Sequence, residues 1–239
     1  MAVVLEKFLL IPSIINFMKK FSFIIVVLFL LSEAQGGPLT LQDLILKVEN
    51  RYSQMEDLEA SFTQKVYRKI LDRTDISRGK LYYIKGGKFI WFSQTPQQLT
   101  VSNGEKLWFY DIDENQVLLQ QLNPDDRHLL MVWLGGRHLK EEFTIAADGK
   151  NLWHWWLTPK KKIAGIAKIA LRISSKNFDI YQTDLHYESG DMTTLTLTQL
   201  KWNQNLIERH KKRPLHKLVN EKLELVPPKG AEITEGLKR

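Results

Sequence analysis

Three runs near the middle of the chain, Leu81-Tyr-Tyr-Ile-Lys85, Lys88-Phe-Ile-Trp-Phe-Ser-Gln-Thr-Pro96 and Leu99-Thr-Val-Ser-Asn-Gly-Glu-Lys-Leu-Trp-Phe-Tyr110, have strand-like length and composition, yet each carries large apolar groups on both faces. A strand of a half-solvated antiparallel sheet alternates apolar-in with polar-out. The departure predicts a sheet with something apolar to cover or to hold.

The remaining pattern predicts one helix at the front and mostly strands behind it. Thr40 followed by Asp43 reads as an N-cap with an acidic group in the first turn. Leu41, Leu44, Ile45, Val48, Tyr52 and Met55 then recur at helical spacing, giving a helix over Leu41–Gln54 with a continuous apolar stripe. Strands are expected at 61–67, 76–84, 88–93, 98–102, 106–110, 116–122, 143–147, 152–157, 167–173, 180–187, 193–202 and 221–226, with Asn103-Gly104 as a hairpin turn whose residues tolerate positive φ. Between them, Asp125–Leu134 follows Pro124, holds the apolar block Leu129, Leu130, Met131, Val132, Trp133 and Leu134, and stops at Gly135-Gly136. That segment reads as a second short helix. The expected class is mainly β, an antiparallel sheet of about eleven strands covered by a short-helix lid. The helix surface is small for the apolar sheet surface, so either the aromatics pack on one another or an acyl chain fills the difference.

The N-terminus bears on compartment. Met18-Lys-Lys20 is a basic n-region, Phe21 to Leu31 an apolar h-region, and Ser32-Glu-Ala34 a small-x-small cleavage signal. An h-region of eleven residues falls well short of the roughly 20 that span a bilayer. The expectation is export to the periplasm, with residues 1–34 forming an upstream extension plus signal peptide, Met18 as initiator, and residues 35–239 as one domain. Removal of residues 1–34 leaves 31 basic against 25 acidic side chains, a net charge of +6 on 205 residues. With no cysteine, the exported domain has no disulfide framework and is held by packing alone. It also has no residue to lipidate.

Ala60-Ser-Phe-Thr-Gln-Lys65, Val101-Ser-Asn-Gly-Glu-Lys-Leu-Trp-Phe-Tyr110 with Glu114-Asn-Gln116 behind it, and Val226-Pro-Pro-Lys-Gly230 occur in an order that resembles the LolA/LolB-like family of lipoprotein carriers. The resemblance spans nearly all of the chain from Leu39. It implies an open, incomplete β-barrel closed by helices over a hydrophobic cavity, and a periplasmic chaperone that binds the acyl chains of lipoproteins. It implies acylated lipoproteins as cargo, the inner-membrane LolCDE transporter as donor, an outer-membrane acceptor such as LolB, a monomeric state and no cofactor. A lipid- or lipoprotein-sensing module of the same fold, similar to the regulator RseB, is the alternative. That protein carries a further domain, whereas this chain ends soon after Pro227-Pro228.

Period-two geometry places Leu81, Tyr83, Lys85, Phe89 and Trp91 on one face if Gly86-Gly87 preserves register, with Leu44 and Val48 of the first helix facing them. These are the candidate cavity residues; Leu129, Leu130 and Trp133 are candidates on the lid. In the family an arginine before proline latches the lid. The matching position is Lys85 before Gly86, which keeps the charge but lacks the planar fork of arginine.

Other constellations carry less. Arg209-His-Lys-Lys-Arg-Pro-Leu-His-Lys217 reads as a solvated inter-strand loop or as a transient contact for phosphate or anionic headgroups at a membrane surface. His210 with His216, and His186 with Glu188, match no metal-ligand pattern. Trp153 and Trp155 share one strand face and His154 and Trp156 the other, as core or cavity wall rather than a platform for nucleic-acid bases. The sequence has no Gly-x-Ser-x-Gly elbow, His-Glu-x-x-His, phosphate loop or thiol nucleophile, so no enzymatic activity is expected.

Overall fold

The computed structural model describes residues 39–122, 139–163 and 165–236. Helix α1 spans Leu41–Ser53 and opens on a reciprocal cap: Asp43 N–H donates to Thr40 Oγ1 (3.2 Å), and Thr40 N–H donates to Asp43 Oδ2 (3.0 Å). The strands are β1 (Asp57–Arg68), β2 (Arg73–Ile84), β3 (Lys88–Thr95), β4 (Gln97–Asn103), β5 (Lys106–Asp111), β6 (Gln116–Gln121), β7 (Phe143–Asp148), β8 (Asn151–Pro159), β9 (Ile166–Ile173), β10 (Ile180–Tyr187), β11 (Met192–Trp202) and β12 (Glu232–Glu235). Two further short helices are α2 (Leu139–Glu142) and α3 (Leu206–Lys212). All belong to one unit beginning at Thr40.

The strands form a single sheet in the order β12-β6-β5-β4-β3-β2-β1-β11-β10-β9-β8-β7. No ladder among the described residues joins β12 to β7, so the sheet stays open. Neighbours are antiparallel except β12, which runs parallel to β6 with Glu232 beside Gln116 and Glu235 beside Leu119. The expected Asp125–Leu134 helix, with Leu129, Leu130 and Trp133, lies outside the described residues.

Two apolar layers cover opposite sides of this sheet. On one side Leu44, Ile45, Val48 and Tyr52 of α1 pack with Leu58, Ala60 and Phe62 of β1 and with residues of β2, β3 and β7–β11. On the other, Ile84, Ile90, Leu99, Val101, Trp108, Tyr110 and Val117 of β2–β6 pack under Leu206, Val219, Leu223 and Leu225. The chain from α3 to about residue 231 is therefore a second cover. It accounts for the apolar groups on both faces of β2–β5, part of which the sequence reading assigned to a shortage of helix surface.

Strand β1 shows how alternation serves both layers. Leu58, Ala60 and Phe62 face α1, whereas the buried carboxylates of Asp57 and Glu59 serve α3. Asp57 accepts from Gln204 N–H (2.7 Å) and Leu206 N–H (2.9 Å), supplying the cap that Asn205 does not. Glu59 receives Arg209 Nη1 at 2.8 Å, with Lys201 Nζ at 3.5 Å.

Two local expectations are corrected. The segment at 221–226 is not a strand: Asn220 Oδ1 accepts from Lys222 N–H (2.9 Å) and Glu224 N–H (3.0 Å), and Leu223 takes φ +59°, which bends the chain where a ladder would need it straight. The basic run from Arg209 starts in α3 and only its second half is loop. The expected hairpin turn at Asn103-Gly104 joins β4 to β5: Gly104 adopts positive φ (+92°), and Asn103 accepts from Glu105 and Lys106 N–H through its side-chain oxygen.

Candidate functional site

The Gly86-Gly87 turn preserves register. Leu81 lies opposite Trp91 and Tyr83 opposite Phe89 across the β2–β3 ladder, which puts the four on the α1 side. Their neighbours Tyr82, Ile84, Ile90 and Phe92 belong to the opposite layer. Leu44 and Val48 of α1 are 0% exposed, and Leu81, Tyr83 and Phe89 at most 4%. Trp91 is half-buried, its ring 4.2 Å from that of Phe62 between centroids. The six expected cavity residues thus meet in one cluster. They pack with one another and with the rest of α1.

Helix α1 is tied down at its C-terminal end. Arg51 Nε lies 3.1 Å from Asp179 Oδ1, and its guanidinium sits 4.1 Å from the centre of the Trp202 ring. The Tyr52 hydroxyl accepts from Ile180 N–H at 2.9 Å, and burial, ahead of the neighbouring Asp179 charge, pushes its titration far above the ordinary tyrosine range. These residues were not singled out from sequence except Tyr52, as part of the apolar stripe. No local signal marks Arg51 and Asp179 as partners, because 128 positions separate them. The N-terminal half of the helix is held on the sheet by apolar contacts, chiefly Leu44, Ile45 and Val48.

Lys85 is not among the buried residues of the face it was expected to share. Its ammonium pairs with Glu56, and its N–H donates to the Glu56 carbonyl at 2.8 Å, so it clips the α1–β1 connection to the β2–β3 turn. Trp153 and Trp155 do lie on the α1 side, Trp155 fully buried with its ring N–H on the Leu152 carbonyl (2.7 Å). On the other face the Trp156 ring contacts His154 and His186 and carries Lys168 Nζ 4.1 Å from its centre. His210 is structural: its Nδ1 accepts from Leu215 N–H (3.1 Å) while its Nε2 meets the Asn220 carbonyl (2.7 Å). Among the described residues no three of His, Cys, Asp or Glu come together to hold a metal ion. No described helix is long and apolar enough to cross a membrane.

Comparison with known proteins bears on the family of the chain. An outer-membrane lipoprotein carrier protein of Pseudomonas aeruginosa (strain UCBPP-PA14) is 27% identical over 186 residues, covering 75% of this chain and 88% of the relative. One from Legionella pneumophila (strain Corby) is 24% identical over 194 residues, 79% and 88% of the two chains. A crystal structure of an uncharacterized conserved protein from Thermus thermophilus aligns with a TM-score of 0.46 at 16% identity, covering 82% of this chain and 98% of that one, a similarity that carries no functional argument. The profile of the family described as "Outer membrane lipoprotein carrier protein LolA" matches residues 53–210, from the end of α1 through β11 to α3. With most of the sheet inside that match, the chain belongs to the LolA family.

Proposed function

We propose that this chain is a non-catalytic periplasmic chaperone that shelters the acyl chains of lipoproteins between α1 and the β2–β3 face and carries them to an outer-membrane acceptor. Membership of the LolA family is the observation that carries the reading. The donor is an inner-membrane transporter of the LolCDE kind, the acceptor resembles LolB, and the carrier works as a monomer. Export follows processing after Ala34, with Met18 as initiator and residues 35–239 as the working domain.

Magnitudes support a competitive mechanism. Each methylene withdrawn from water is worth about 0.8 kcal/mol, so a chain of roughly sixteen carbons brings on the order of 10 kcal/mol. In the closed state Leu44, Ile45 and Val48 occupy the same face, and lifting them off forfeits about 1.5–3 kcal/mol each. Cargo and helix compete for one surface, which leaves a net gain of a few kcal/mol for a first chain. A second chain adds to the gain without lifting the helix again. Re-closure of α1 then favours release once an acceptor offers the acyl chains an equivalent shelter, with no nucleotide required.

Mass spectrometry of material co-purifying with the exported protein tests the assignment. Acylated peptides are the expected cargo; free fatty acid or phospholipid alone would contradict it.

A further inference from the structure

On the side of the sheet away from α1, the last turn of α3 and the loop after it enclose a pocket of about 490 Å³ lined by Tyr82, Arg209, Lys212, Arg213, Pro214 and Leu215. Three of the six are cations and three offer apolar surface. The run from Arg209 to Lys217 holds five Lys or Arg and no acidic residue. Of the nearby carboxylates, Glu59 is occupied by Arg209 and Lys201, and Glu208 by Lys211 at 2.7 Å. Lys212 and Arg213, both exposed, form no close ion pair of their own among the described residues, although Glu208 feels the Lys212 charge and Glu221 lies near Lys211.

The pocket is built rather than incidental. Glu59 fixes Arg209 from below, Asp57 caps the helix, and His210 bridges the Leu215 N–H and the Asn220 carbonyl, so that the loop carrying Arg213, Pro214 and Leu215 is held against α3. One fixed cation, Arg209, and the exposed Lys212 and Arg213 beside an apolar wall match an anion that is itself attached to an apolar body. The exposed Lys217 beyond the loop extends the positive surface, as contact with a flat, negatively charged partner requires.

We propose that this pocket is a second binding site, which takes the phosphate of an anionic phospholipid headgroup at a membrane surface. It lies across the sheet from the acyl-chain face, so engagement of a membrane by α3 leaves α1 free to move.

The exported protein, incubated with vesicles of phosphatidylcholine alone or of an equal mixture with phosphatidylglycerol, tests this without any lipoprotein present. The outcome is therefore independent of the carrier reading. Wild type is expected to partition onto the mixed vesicles and to leave them in about 1 M salt, where the screening length falls to about 3 Å. Lys212→Ser with Arg213→Ser should weaken partition about thirtyfold, at about fivefold per cation. Lys150→Ser with Lys176→Ser removes the same charge from exposed positions elsewhere and should weaken it by no more than about twofold. Equal losses for the two pairs, or no loss for the first, would overturn the site. So would saturation of the pocket by soluble glycerol phosphate, read from the NMR shifts of Tyr82 and Leu215, in a protein that ignores the mixed vesicles.

Discussion

Arg51, in the last turn of α1, meets Asp179, one residue ahead of β10, at 3.1 Å. Asp179 is only 5% exposed, and beyond Arg51 its carboxylate accepts from Asn177 Nδ2 at 2.6 Å. This contact and the Tyr52–Ile180 hydrogen bond anchor one end of a helix whose other end rests on apolar packing, the arrangement of a hinged cover.

Removing the anchor should loosen the cover. Arg51→Ala leaves a buried carboxylate short of a donor and forfeits the cation–π contact with Trp202, at a cost of about 1–3 kcal/mol in urea unfolding. A hydrophobic fluorescent probe should enter the variant more readily than wild type. Unchanged stability together with unchanged probe uptake would show that Arg51 does not hold α1.

Gly79 is required where β2 and β3 shift register. A Cβ built there lies 1.8 Å from the Phe92 carbonyl oxygen, a backbone atom that cannot swing aside. Gly79→Ala should therefore force the strands apart and cost several kcal/mol, lowering the urea midpoint and disturbing the Leu81–Trp91 pairing two residues on. An alanine variant as stable as wild type would contradict the close approach.

His216 ties stability to pH. Its Nδ1 accepts from Leu218 N–H at 3.2 Å and its ring lies against Phe92, with centroids 4.9 Å apart. Burial, and secondarily the Lys217 charge, holds its titration below the ordinary histidine range; burial and Lys168 do the same at His186. Folding therefore favours the neutral form of both rings. Below the unfolded value of about 6.5 the unfolded chain binds more protons, so stability falls as the pH drops through that value and on towards the lowered native ones. The urea midpoint should be lower at about pH 5.5 than at about pH 7.5. His216→Gln should flatten that difference in part, leaving the share due to His186.

Lys85 holds Glu56 in an exposed ion pair, a kind of contact worth about 0–1 kcal/mol. Lys85→Leu should lower stability by no more than that and change probe uptake less than Arg51→Ala does. A larger effect from Lys85→Leu would return the latch to the β2–β3 turn.

What was legible in the sequence depended on how far apart the causes lie. The Thr40–Asp43 cap and the α1 stripe are local, and the pattern locates both. The β2–β3 register was also readable, because a Gly-Gly turn and period-two alternation between them fix which side chains share a face. Helix α3 was not. Its N-terminus has no side-chain cap of its own and is capped by Asp57 from 149 positions away, so the run from Arg209 reads as loop. The same distance hid the second apolar layer. Nothing local connects Leu206, Val219 and Leu223 to Ile90, Leu99 and Val101, so the apolar groups on both faces of β2–β5 read as more than the two expected helices cover. Lys85 was misplaced because alternation was extended through a turn, where the strand period no longer applies.

The most direct test of the account is to find where an acyl chain lies. Cells supplied with a diazirine-bearing fatty acid incorporate it into their lipoproteins; irradiation followed by digestion of the exported protein then maps the crosslinked residues. The account predicts labels on Leu81, Tyr83, Phe89 and Trp91 and on the Leu44–Val48 stripe of α1, joined to acylated peptides. Labels confined to Tyr82, Ile90 and the segment around Leu215, or an absence of label on the α1 side, would contradict it.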